Sequence, residues 1–137
     1  MNMNKSTIYT LDDDGVVDEA GPMHRLSGEL SEWLFASKFW ANFNSKNGSI
    51  FGQFEEDEAG PDIARKISHE LAEKLKELND VEDVIFAYRK TQAGDKEYIQ
   101  VTASQLIHEI KSLAEFLRNL GSRIINYGFL CGLIGNR

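Results

Sequence analysis

The spacing of apolar positions changes several times along the chain, and each change predicts an element. Thr7 to Leu11 reads as a short strand or extended arm, after which a loop runs to Gly21-Pro22. Residues 1–22 are expected to form a partly mobile N-terminal arm. Leu30, Trp33, Leu34, Ser37, Trp40 and Ala41 then recur at helical spacing, with Phe35, Phe39 and Phe43 widening the face. This predicts one helix over 27–43, with the Ser27 hydroxyl accepting from an otherwise orphan amide at its start. A face so broad favours burial, so Trp33 and Trp40 are expected in the core; the competing role is an exposed aromatic anchor for a partner. Asn44 to Ser49 is turn chemistry, and Ile50 to Phe54 reads as a short strand.

The clearest helix is predicted over 61–78. Pro61 suits its first turn, Ile63, Ala64, Ile67, Leu71, Leu75 and Leu78 form one stripe, and Glu70 and Lys74 are spaced for an ion pair. Over 81–101, alternation in Val84 to Arg89, a Gln-Ala-Gly-Asp turn and then Tyr98, Ile99 and Val101 predict a hairpin. The alternative is a short helix over 81–90 capped by Asp80. Thr102-x-x-Gln105 is a capping box opening a helix with Leu106, Ile107, Ile110, Leu113, Ala114, Leu117 and Leu120 on one face, and Gly121 is placed to end it. The apolar, glycine-rich run IINYGFLCGLIG is either a last strand or an exposed patch for pairing. The fold class expected is α+β, mainly helical, with about three main helices and a short β hairpin or small antiparallel sheet, in a single domain over 1–137.

Composition adds limits. With 42% hydrophobic and 10% aromatic residues in 137, the chain can bury a core. No run approaches the ~20 apolar residues that span a membrane. The start, MNMNKSTIYTLDDD, lacks the apolar segment of a signal peptide, and the single Cys131 allows no internal disulfide. Both point to a reducing cytoplasm.

Charge changes the picture most. The net charge is -7, and residues 1–62 hold twelve acids against four bases, while residues 63–137 hold ten against eleven. The excess lies in Asp12, Asp13 and Asp14 with Asp18 and Glu19, and in the run Glu55, Glu56, Asp57 and Glu58 followed by Asp62. Such a field repels nucleic acid and attracts basic protein surfaces; the blander role is solubility. Acids before a helix are stabilising by roughly 0.3–1 kcal/mol each, but four in succession exceed what one helix dipole uses.

Other chemistry finds little support. The four consecutive acids do not alternate as calcium ligands do. His69-Glu70 and His108-Glu109 begin like a zinc-protease motif, yet positions 73 and 112 are Glu and Ser. His69 and Glu73 are the best remaining acid/base pair. Cys131 has no base near it in sequence, and no nucleophile elbow or phosphate loop is present. No catalytic residue, metal ligand or cofactor site is assigned.

The run G-x-F-E-E-D-E-x-x-P, Gly52 to Pro61, leading into an Ile/Leu/Ala helix, and V-T-A-S leading into a helix that closes with A-E-F-L-R-N, Ala114 to Asn119, resemble small acidic bacterial immunity proteins of toxin–immunity systems. The resemblance covers about half the chain. It implies a function by binding: neutralising a cognate basic toxin domain, plausibly a nuclease, by covering its active site. On that reading Glu55, Glu56, Asp57, Glu58 and Asp62 supply the charge, with Asp12, Asp13 and Asp14 as a second group. A small metal- or carboxylate-dependent hydrolase and an adaptor that dimerises through its tail are the alternatives.

Overall fold

The computed structural model describes residues 6–49, 51, 57–121 and 123–129. It is an α+β fold of four helices and two antiparallel sheets. The elements in order are β1 (Ser6–Thr10), β2 (Met23–Arg25), α1 (Gly28–Ala36), α2 (Phe39–Asn47), β3 (Asp57–Ala59), α3 (Pro61–Lys74) running into a 3-10 turn (Leu75–Leu78), β4 (Asp83–Lys90), β5 (Lys96–Thr102), α4 (Ala103–Arg118) and β6 (Ile125–Phe129). One sheet has the order β2-β1-β6-β3; the other is the β4-β5 hairpin.

The N-terminal strand and the last strand are interior partners. β1 pairs antiparallel with β2 on one side and with β6 on the other, and Ile8 lies opposite both His24 and Tyr127. Within the stretch expected to form an arm, Ser6–Thr10 is thus an interior strand. The apolar run after Gly121 supplies β6 as far as Phe129; residues 130–137, with Cys131, lie outside the described residues.

The helix expected over 27–43 is two helices. Ser27 does cap α1, its Oγ accepting from Leu30 N at 3.1 Å. The chain then breaks at Ser37-Lys38, where Lys38 takes φ +69°. A straight helix would point Phe39 and Trp40 along the axis of α1. The break instead turns α2 so that Phe39, Trp40 and Phe43 form an aromatic cluster with Phe51, at centroid separations of 4.9–6.4 Å. Trp33 and Trp40 are both buried, as their spacing predicts. Phe35 is left 40% exposed on the outer side of the break.

Phe51 is a buried turn residue and not part of a regular strand; the rest of the strand expected at Ile50 to Phe54 lies outside the described residues. Asn44 explains the turn. Its Oδ1 accepts from Phe51 N (3.0 Å) and Ser49 Oγ (2.7 Å), and its Nδ2 donates to Phe51 O (2.8 Å). One side chain thereby replaces a strand partner and presses the Phe51 ring into the cluster.

α3 and α4 pack together through small residues. Ser68 Oγ donates to Ala114 O at 2.9 Å across the buried seam. The expected ion pair between Glu70 and Lys74 does not form. Lys74 turns inward, donates to Ser37 O at the end of α1 (2.9 Å), pairs with Glu77 (2.8 Å) and lies 5.6 Å from the Trp33 ring centroid. Glu70 pairs with Lys46 of α2 instead (3.2 Å). A freed helix C-terminus and an aromatic face outcompete an exposed pair worth a few tenths of a kcal/mol.

The hairpin forms over 83–102, and the alternative helix over 81–90 does not. Asp80 sits at φ +63° and redirects the chain after the 3-10 turn. Only half of the capping box is made: Thr102 Oγ1 accepts from Gln105 N (3.1 Å), while Gln105 Nε2 donates forward to Glu109 (3.2 Å). α4 ends at Arg118, and Gly121 follows at φ +66°. A single core runs from Ile8 through the helices to Ile125. Among the described residues no helix is long and apolar enough to cross a membrane.

Candidate functional site

Asp12 and Asp62 are far apart in sequence, and the sheet decides how far apart the segments that carry them stand. β1 and β3 flank β6, both antiparallel to it, so they run in the same direction. Thr10 and Ala59 lie opposite the same residue, Ile125. Neighbouring strands are about 4.8 Å apart, so the chain leaves β1 towards Asp12 and leaves β3 towards Asp62 at one end of the sheet, about 10 Å apart. Asp57 and Glu58 belong to β3, the edge strand that leads to this end, opposite Tyr127 and Asn126. Glu55 and Glu56 lie outside the described residues.

The first cluster is a tight loop held by its own acid. Leu11 N donates to Ile124 O (2.9 Å), and Asp12 N donates to Val16 O (2.8 Å). Asp12 Oδ1 then accepts from Asp14 N (2.9 Å) and Val16 N (3.0 Å), while Gly15 sits at φ +77°. One carboxylate therefore builds the loop, and its consequence is to hold Asp13 and Asp14 out in solvent. Behind it the 18–22 segment lies close on β1. Asp18 N donates to Thr10 O (2.8 Å), and a Cβ on Gly21 would come within 2.4 Å of Thr10 Oγ1.

Asp62, in the first turn of α3, is exposed and forms an ion pair with Arg65. It also borders a feature that spacing along the chain does not show. Between α2 and α3 runs an open groove of about 510 Å3, lined by Lys46, Asp62, Arg65, Lys66, His69 and Glu70 among others. Lys46 is balanced by Glu70 and Arg65 by Asp62; among the described residues Lys66 and His69 carry no ion pair. Arg65, Lys66 and His69 fall within five residues on α3, which is the sequence signal for one wall. Lys46 joins them only through the packing of α2 on α3.

The acid/base pair considered from sequence lies on the exposed side of α3. Glu73 accepts from Lys76 Nζ at 2.7 Å, and this bond, more than the field of His69, holds its carboxyl below the usual range. Among the described residues no group of three or more His, Cys, Asp or Glu side chains is placed to hold a metal ion.

A second shallow groove, of about 440 Å3, lies where β2 meets the start of α1. Ser27 Oγ donates to Glu109 Oε2 (2.9 Å) while capping α1, which ties the N-terminus of α1 to the side of α4. Nearby, His24 stacks on Phe116 with centroids 5.1 Å apart. Burial pushes the His24 imidazole below its usual range, and the Glu109 carboxylate opposes that only in part.

Comparison with protein-family models, curated proteins and solved structures finds no match to any of them.

Proposed function

We propose that this chain is an immunity-type protein of the cytoplasm that neutralises a basic toxin domain, plausibly a nuclease, by covering its active site. The observation that carries the reading is that β1, leading to Asp12, Asp13 and Asp14, and β3, leading to Asp62, exit at one end of the four-stranded sheet, with Asp57 and Glu58 on the β3 edge that runs there. Within that surface Asp13 and Asp14 are the free charges of the first loop, and Asp12 is their scaffold. Glu55, Glu56, Asp57 and Glu58 supply the second group, and Asp62 is its member already shared with Arg65. Acids two strands apart offer a lysine- or arginine-lined cleft a spread of negative charge comparable to a nucleic-acid backbone. Against the hydrolase reading, Glu73 is committed to Lys76 on an open helix face.

The test is a pair of reversals, one of Asp13 and Asp14 and one of Glu55 to Glu58, each to lysine. Both variants are expected to keep the parent's circular dichroism, since Asp13 and Asp14 are exposed and outside the core. Each should lower affinity for the basic partner recovered from the native host by at least about tenfold at low salt, with the difference shrinking as salt rises. Equal recovery of that partner by parent and variants at every salt concentration overturns the proposal.

A further inference from the structure

Among the described residues β4 is the longest strand, and one of its edges pairs with no other strand. It pairs with β5 alone, and among the described residues no backbone hydrogen bond joins Val84–Tyr88 to any other element. Those five residues, Val-Ile-Phe-Ala-Tyr, carry no charge. Long uncharged edge strands are what folded proteins ordinarily avoid by shortening them or placing charge on them. The burial of the hairpin is also lopsided. Ile99 and Val101 of β5 are 6% and 5% exposed, while Val84 and Phe86, their partners in register, are only half-buried. On the other face Ile85 and Tyr98 are 63% and 59% exposed.

The charges at the two ends of β4 say what would cover this edge. Asp83 stands at one end and Lys90 at the other, and among the described residues neither has an ion-pair partner. Lys90 faces Lys96 across the hairpin, a like-charge pairing that is unfavourable in isolation. Arg89 is already bound to Glu97 at 3.2 Å. When β4 is laid antiparallel on a second β4, with the two-fold axis at Phe86 and Tyr88 as the extra residue of the bulge between Ala87 and Arg89, Asp83 of each copy falls beside Lys90 of the other. The same step covers the half-buried Val84 and Phe86 and supplies an anion to the Lys90–Lys96 pair. It joins two hairpins into one four-stranded sheet.

We propose that β4 is a self-association edge whose partner is a second copy of this chain, held in register by reciprocal Asp83–Lys90 pairs. The surface belongs to the hairpin and not to the sheet that carries the acidic clusters, so the inference stands apart from the toxin-binding reading. One strand edge buries little area, so association is weak, with a Kd on the order of 10 μM to 1 mM.

The experiment is sedimentation velocity over a concentration series for the parent, Asp83→Lys, Lys90→Asp and the double exchange. The parent is expected to form a dimer. Each single reversal should raise the dimer Kd by about tenfold or more, and the double exchange should return it to within about threefold of the parent. Lys90→Asp separates association from folding, because it relieves the clash with Lys96: this variant should melt no lower than the parent while dimerising less. A parent that stays monomeric at every concentration overturns the proposal and leaves the edge to an extended segment of another protein. A dimer indifferent to the single reversals, or one the double exchange fails to restore, overturns it equally.

Discussion

Lys38 occupies the backbone region that glycine normally fills at the end of a helix. A side chain there costs about 1 kcal/mol, yet the break it allows sends the α2 aromatics into the core. Lys38 is exposed, so nothing in its side chain repays the strain locally. Lys38→Gly is expected to raise stability by about 0.5 kcal/mol in urea unfolding, the relief of strain being partly offset by a freer unfolded chain. His24 is the residue to watch with pH. Its folded pKa lies below its unfolded value near 6.5, so the unfolded chain takes up protons first as pH falls. The stability from neutral His24 is whole above about pH 6.5 and is lost as pH drops through the lower folded value. His24→Gln should therefore gain on the parent between about pH 7.5 and 5, measured as the change in urea midpoint. A constant difference across that range would contradict the assignment.

At the scale of elements, α1 and α3 are joined by one lysine. Lys74, which the spacing places outside the apolar stripe of α3, is nonetheless buried, and its amine reaches the carbonyl end of α1 beside the Trp33 ring. The stem packs, and the charge answers the helix terminus. Lys74→Met keeps the stem and should cost about 1 kcal/mol; Lys74→Ala loses both and should cost about 2–3 kcal/mol. Equal losses in the two variants would mean that the ammonium group contributes everything and the packing nothing. The remaining helix face follows the 3.6 spacing closely: Leu106, Ile110, Leu113 and Leu117 of α4 are all buried against α3 and the sheets.

For the whole molecule, the decisive pairing is between the two ends of the described chain. β1 lies between β2 and β6, so a deletion of residues 1–11 would remove an interior strand, strip β2 of its partner and leave β6 with β3 alone. It is expected to abolish cooperative thermal unfolding, where a peripheral arm would leave the melting curve almost unchanged. The same pairing sets the acidic surface, because the exit of β1 is brought beside the exit of β3 only through β6. The sequence by itself determined the helical faces of α3 and α4, the Ser27 and Thr102 caps and the location of the acids along the chain, and it favoured the hairpin over a helix at 81–90 and core over exposed tryptophans. These follow from spacing, turn chemistry and local hydrogen bonding, which act over a few residues. Tertiary structure alone decided the break at Lys38, the inward turn of Lys74, the Asn44 clasp on Phe51, the groove between α2 and α3 and the shared exit of β1 and β3. Each depends on a partner that packing brings in from another part of the fold, and no local pattern records where that partner will stand.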